Sequence, residues 1–210
     1  MDRLIFLALV MLMSSCEPFP DNRDDGYVFH DDFYYESLAK DKKCYLTKCQ
    51  DEYFIIIRDS HQEHVLTELG KQGFQITSGP TEKVFSNNSG YGVPDFLTDC
   101  KVLTVKGGGD IAEVKNLIYS NFLYLDALQQ TVGFSNIFGV RYENEQQHQI
   151  LVEYAKQCKV YPIANYSDLK WMTFACTNES IGNPVELANW LVEVGGFSIA
   201  QPDFSIVTLD

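Results

Sequence analysis

The stretch from residue 136 to residue 210 contains four strand-like and two helix-like segments in the order βαββαβ. The strand-like segments cover residues 137–141, 159–166 and 169–177, and the last begins at Phe197. Two helices that cross one face of a four-stranded antiparallel sheet form the ferredoxin-like plan. This order therefore predicts an α+β unit of the ferredoxin-like type at residues 133–210.

The two helices of this unit are predicted from apolar spacing and capping residues. The first has Leu151, Ala155 and Cys158 on one face, a spacing that favours an amphipathic helix. The second begins at Asn183-Pro184, where Asn can cap the helix and Pro fits its first turn. Gly195-Gly196 ends it, and its apolar stripe consists of Leu187, Ala188, Leu191 and Val194.

The strand before the second helix alternates, which predicts two different faces. Met172, Phe174 and Cys176 point one way and should meet the helices. Trp171, Thr173 and Ala175 point the other way and should line the open face of the sheet. A Trp on an open face can mark a contact surface.

The first half shows the same βαββαβ order of segments, although the two halves share little sequence similarity. Strand-like runs lie at residues 53–58, 74–78, 101–106 and 122–128. A helix is predicted at residues 61–73, and a second is predicted through Val114, Leu117 and Ile118 after Gly107-Gly-Gly-Asp110. We therefore predict a first α+β module at residues 41–132, so that the chain holds two ferredoxin-like modules with antiparallel sheets.

The N-terminus predicts export and anchoring. A basic residue, ten uncharged residues from Leu4 to Met13 and the small pair Ser14-Ser15 form a signal peptide over residues 1–15, too short for a membrane span. Cys16 follows directly, as in bacterial lipoprotein signals, so cleavage would leave it as the lipidated N-terminus. Secretion without a lipid is the alternative. The predicted location is the bacterial cell envelope, periplasmic or on the outer-membrane surface, with a lipid anchor in the membrane.

Charge defines the next segment and excludes one class of partner. Residues 17–36 carry seven acids and a single base, Arg23, which predicts a flexible acidic tether over residues 16–40. The whole chain has a formal net charge of −13. Nucleic-acid binding relies on Lys and Arg to neutralise phosphates, so we expect no nucleic-acid partner.

Five cysteines remain after Cys16, and an odd number excludes complete pairing within the chain. Cys158 and Cys176 fall on apolar faces, which suits buried thiols. Cys44 and Cys49 could form a local disulfide, while Cys100 carries no prediction.

The amino-acid sequence of the C-terminal unit resembles a known precursor segment. Similarity is strongest at Gly182-Asn183, at Glu186-Leu-Ala-Asn189 and at Ala200-Gln-Pro-Asp-Phe204. Weaker similarity occurs at Tyr34-Tyr35, at residues 44–47 and at residues 133–138. These residues resemble the propeptide region of secreted subtilisin-like serine proteases of the Bacteroidetes type, which lies just before the catalytic domain in those precursors.

The resemblance implies a function without catalysis. Such propeptides dock their open sheet face on the protease, lay their C-terminal tail through its active-site cleft, and act as folding chaperones and inhibitors. By resemblance, Trp171 and Thr173 would form the docking face. The tail would consist of Ser205, Ile206, Val207, Thr208, Leu209 and Asp210. The partner would be a subtilisin-like protease, with an adhesion or binding lipoprotein, or a remnant of a precursor, as alternatives.

No arrangement in the sequence predicts an active site or a cofactor. A subtilisin-type triad needs Asp, His and Ser from separate segments, and none of the four histidines has the Gly-rich context of that family. His61 and His64 could share a helix face as metal ligands, but no third ligand is specified. The glycines at 107–109 lack the Lys-Ser/Thr of a phosphate-binding loop. We predict no enzymatic activity, no metal and no cofactor.

Overall fold

A computed structural model describes residues 28–36, 39–83 and 93–206. Its fold is α+β, and every strand pairing in these residues is antiparallel. The strands are β1 (Phe33–Glu36), β2 (Ala39–Tyr45), β3 (Thr47–Arg58), β4 (Phe74–Lys83), β5 (Cys100–Gly107), β6 (Leu117–Leu125), β7 (Thr131–Arg141), β8 (Tyr161–Tyr166), β9 (Trp171–Ala175) and β10 (Ile199–Ile206). The helices are α1 (Gln62–Lys71), α2 (Glu145–Gln157) and α3 (Pro184–Glu193). The predicted α+β class is confirmed.

One sheet runs through both halves of the chain, in the order β4-β5-β3-β6-β7-β9-β8, with β10 also paired to β7. Strand β7 is the branch point. Its first residues, Thr131 to Gly133, pair with β6, whereas Ile137 to Arg141 pair with β9. The predicted module boundary at residue 133 therefore lies inside a strand that belongs to the sheet of both halves.

The two halves also share a core. In β3, Ile55 and Ile57 pack with α1, while Phe54 and Ile56 belong to the cluster that contains the α2 and α3 side chains. All of residues 53–57 are consequently buried, as expected for a strand covered on both faces. Their continuous apolar run reflects this double burial.

The elements predicted in the second half are present. Asn183 caps α3 by accepting hydrogen bonds from the amides of Val185 and Glu186, and the Glu186 carboxylate accepts one from the Asn183 amide. This capping box satisfies donors that the first helical turn leaves without partners. Leu187, Ala188 and Leu191 are buried as the stripe predicts, whereas Val194 is 45% exposed.

The second helix predicted in the first half is absent. Residues Ile111–Glu113 form a single 3₁₀ turn, capped by the Asp110 carboxylate, and Leu117 already begins β6. Asn116 between them has a φ of 65°, a left-handed conformation that interrupts a helix. Val114, Leu117 and Ile118 matched helical spacing, but Leu117 and Ile118 belong to β6, which pairs with β3, and Val114 lies before that strand.

The end of the predicted tether is ordered. Phe33–Glu36 forms β1, which pairs with β2 in a two-stranded sheet. Phe33 is buried, so burial of its aromatic ring offsets part of the conformational-entropy cost of ordering this segment. The acidic composition alone did not indicate this burial. Residues 16–27, the signal peptide and Cys16 lie outside the described residues.

Candidate interaction surface

Trp171 and Thr173 lie on the face of β9 that points away from the helices. Their neighbours Met172 and Phe174 are fully buried in the helix-facing core, so alternation directs Trp171 and Thr173 to the opposite side. Both remain partly exposed. The predicted orientation of these four residues is confirmed.

The Trp171 ring rests on the backbone of the neighbouring strand. A Cβ built at Gly139 would lie 2.2 Å from Cζ2 of Trp171, so only glycine leaves room for the ring. Gly139 pairs with Thr173 on one side and with Gln201 of β10 on the other. These four residues, Trp171, Thr173, Gly139 and Gln201, define what we call the Trp171 face.

The other end of this side of the sheet is covered. Ala175, predicted on the open face, is fully buried and packs with Leu97 and Ile163. Leu97 belongs to a 3₁₀ turn at Asp95–Leu97, and the neighbouring Phe96 ring contacts Tyr161 at a centroid distance of 4.8 Å. The prediction that Ala175 lines an open face is wrong, because the segment before β5 folds over it.

The predicted tail begins inside the sheet. Ser205 and Ile206 belong to β10 and pair with Gly133 and Val132 of β7. Removing them would therefore break two positions of the ladder, so these two residues of the predicted tail are part of the sheet. Val207, Thr208, Leu209 and Asp210 lie outside the described residues.

The branch of β7 is fixed by two buried polar residues that the sequence analysis did not single out. The Ser135 hydroxyl donates to the Asp203 carboxylate at 2.8 Å. The Asn136 side-chain amide donates to the Cys176 carbonyl at 2.9 Å, and the Cys176 amide donates to the Asn136 carbonyl at 2.7 Å. Two adjacent polar residues inside an otherwise apolar strand could have indicated these contacts from the sequence, because buried polar groups need hydrogen-bond partners.

Asn189, within the motif that carries the family resemblance, attaches the N-terminal segment to α3. Its side chain is 1% exposed. Its amide group donates to the carbonyls of His30 and Phe33 at 2.8 and 2.7 Å. Together with the Asn183–Glu186 capping box, this contact gives the motif a structural role within the domain.

A polar cluster completes this attachment at the other end of α3. The Tyr35 hydroxyl donates to the Glu193 carboxylate at 2.5 Å, and the Lys43 ammonium lies 3.4 Å from the same oxygen. Lys43 also lies 3.7 Å above the Phe33 ring centroid, a cation–π geometry. Burial, followed by the hydrogen bond to Glu193, raises the pKa of Tyr35.

None of the five described cysteines forms a disulfide. Cys100, Cys158 and Cys176 are buried, as predicted for the last two, whereas Cys44 and Cys49 are half-buried and form no disulfide. Burial raises the pKa of Cys158 to about 12 and that of Cys176 well above its usual value. Both thiols are therefore protonated at neutral pH and are poor nucleophiles.

The described residues include neither a metal-binding cluster nor a membrane-spanning helix. Residues 28–36, 39–83 and 93–206 contain no group of three or more His, Cys, Asp or Glu side chains that could hold a metal ion. His61 and His64 are both exposed at the start of α1. No helix in these ranges has the length and apolar character needed to cross a membrane.

Comparison of the chain with protein-family models, with curated proteins and with solved structures gave no match.

Proposed function

We propose that the protein is a non-catalytic, lipid-anchored envelope protein that inhibits a subtilisin-like protease or assists its folding. It would dock the Trp171 face on the protease and place its C-terminal tail in the active-site cleft. The proposal rests first on the resemblance to protease propeptides in residues 171–204. The arrangement of strands and the Trp171 face support it independently.

The ferredoxin-like interpretation of each half belongs to this proposal. In the second half the strand order β10-β7-β9-β8 is the 4-1-3-2 order of a βαββαβ sheet, with α2 and α3 between the appropriate strands. The first half has the corresponding order β6-β3-β5-β4, although the Ile111–Glu113 turn stands where the second helix would be. The second half therefore supports the propeptide comparison better.

The Trp171 ring carries the docking proposal. It lies on Gly139, so its position is set before any partner binds. A rigid, partly exposed Trp next to small and polar neighbours has the features of an interface hot spot. It also loses little conformational entropy on binding, because the fixed ring is already ordered.

The position of β10 supports the tail hypothesis. Its pairing with β7 continues to Ile206, so Val207 follows directly from an extended strand. Protease clefts bind extended segments by strand addition. The segment proposed to enter the cleft is therefore Val207 to Asp210, because its insertion would need no loss of the described strand pairing.

Inhibition kinetics with variants test the proposal. The mature protein should inhibit at least one member of a panel of subtilisin-like proteases. Trp171→Ala should weaken inhibition by about 30-fold, the equivalent of roughly 2 kcal/mol. Deletion of Val207 to Asp210 should weaken inhibition while the free energy of unfolding changes by less than about 0.5 kcal/mol.

Leu128→Ala is the matched control, because Leu128 is a large apolar residue, 77% exposed, in the turn between β6 and β7. It should leave the inhibition constant unchanged. Equal losses in Trp171→Ala and Leu128→Ala would reject the Trp171 face as the docking surface. Absence of inhibition across the panel would reject the function and favour an adhesion or remnant protein.

A further inference from the structure

An open cleft of approximately 290 Å³ lies where the two halves of the sheet diverge. One side is formed by Arg58 at the end of β3 and by the first residues of β6. The other side is formed by Tyr161 at the start of β8 and by residues 177–179 after β9. This volume is near the lower end of the range for small-molecule sites, about 300–1,000 Å³.

The two sides of the cleft are connected by direct hydrogen bonds. The backbone amide of Asn178 donates to the carbonyl of Ile118 at 2.9 Å. The Asn178 side-chain oxygen accepts from the amide of Ser120 at 2.8 Å. These bonds fix the segment after β9 against β6, so the cleft is formed before a ligand arrives.

Arg58 supplies a half-buried positive charge that has no counter-ion among the residues the structure describes. Within the described ranges no salt bridge or side-chain hydrogen bond involves its guanidinium group. The nearest acid in the sequence, Asp59, is already paired with Lys101 at 2.6 Å. A partly desolvated Arg without a partner favours an anionic ligand, and its planar fork fits a carboxylate in bidentate geometry.

Other lining residues restrict the class of anion. Phe96 and Tyr161 provide an aromatic wall, with their ring centroids 4.8 Å apart. Glu179 adds a negative charge to the lining, which disfavours multiply charged anions such as phosphate and can accept a hydrogen bond from an ammonium group. The combination of Arg58, Glu179 and an aromatic wall matches a free amino acid better than a phosphate ester.

We propose that this cleft binds a small carboxylate of amino-acid size, with the carboxylate on Arg58 and the apolar side chain against Phe96 and Tyr161. The site is independent of the Trp171 face, since none of its residues belongs to that face. The protein would thus recognise a small molecule in addition to any protein partner.

Titration calorimetry of the full mature protein with L-phenylalanine tests the proposal. The dissociation constant should lie below about 10 mM, and Arg58→Gln should raise it about tenfold or more. L-Phenylalaninamide, which lacks the carboxylate, should bind at least about tenfold more weakly to the unaltered protein. Arg141→Gln is the matched control, because Arg141 is an exposed Arg in β7 outside the cleft, and it should leave binding unchanged.

Thermal unfolding of each variant separates loss of binding from loss of structure. If Arg58→Gln lowers the unfolding temperature, Arg58→Lys replaces it, since Lys keeps the charge but loses the fork and should still weaken binding. No heat of binding for L-phenylalanine at 10 mM would overturn the proposal. Equal affinity for the acid and the amide, or equal effects of the Arg58 and Arg141 variants, would overturn it as well.

Discussion

The attachment of the N-terminal segment through Asn189 gives a prediction whose magnitude follows from two hydrogen bonds. Asn189→Ala removes donors that reach the carbonyls of His30 and Phe33 at 2.8 and 2.7 Å. Each bond contributes about 0.5–1.5 kcal/mol net, so their loss should cost about 1–3 kcal/mol. The free energy of unfolding from urea titration measures this cost.

Asn189→Asp tests the same contact through the pH dependence of stability. It would place a carboxylate, which donates no hydrogen bond when ionised, against two carbonyl oxygens in a site that is 1% exposed for Asn. Burial without donors would raise the folded-state pKa of this Asp above its unfolded value of about 3.9. Stability is then lost as pH rises through the folded pKa, so the deficit relative to the natural protein should shrink as pH falls toward about 4.

Gln157→Ala is the control for both variants, because Gln157 is an exposed amide residue at the end of α2. It should change the free energy of unfolding by less than about 0.5 kcal/mol. A change for Asn189→Ala no larger than that of Gln157→Ala would refute the reasoning. The segment at residues 28–36 would then not belong to the cooperative unit.

Three further predictions concern the core, the thiols and the anchor. Leu191→Ala should cost about 2–5 kcal/mol in urea unfolding, because Leu191 is 4% exposed within the main cluster; a loss near 0.5 kcal/mol would mean that α3 faces another way. In native protein at neutral pH an alkylating reagent should modify Cys44 and Cys49 before Cys158 and Cys176, and mass spectrometry would measure this order. Burial raises the Cys158 pKa from 9.0 to about 12, so the free energy of unfolding should fall as pH rises through that interval. Equal modification rates in the folded state would contradict the burial of these thiols. Cys16→Ala should move the protein from the membrane fraction to the soluble fraction, and unchanged fractionation would contradict lipidation of Cys16.

Much of the second half could be predicted from local sequence because its signals agree with one another. The Asn183-Pro184 start, the buried positions of α3 and the alternation of β9 all gave the observed structure. Such agreement between capping, periodicity and packing is typical of segments whose local preferences match the fold. Val194 was the exception, at 45% exposure.

The first half shows where local pattern is insufficient. Val114, Leu117 and Ile118 have helical spacing, but the left-handed Asn116 follows Val114, and the long β3–β6 pairing makes Leu117 and Ile118 part of a strand. Strand β4 also continues to Lys83 rather than Ser78, with irregular pairing between Ile76 and Thr81. Both outcomes depend on partners distant in sequence, which periodicity alone does not identify.

The candidate sites also differ in how far local sequence could predict them. Alternation in β9 was enough to place Trp171 and Thr173 on one face, but the cover over Ala175 and the contact with Gly139 required the three-dimensional structure. The cleft at Arg58 has lining residues from five separate segments between residues 58 and 179. No local motif connects them, and the divergence of the strands at β7 creates the space.

Competition in the protease cleft tests the central proposal most directly. Calorimetry would compare binding of the intact protein to a subtilisin-like protease that it inhibits and to the same protease with its cleft occupied by a tight substrate-like peptide inhibitor. We predict that cleft occupation weakens binding about tenfold or more, since the tail would lose its strand-addition contacts while the Trp171 face could still dock. Equal affinity for the free and the occupied protease, or no binding to any protease of the panel, would contradict the account.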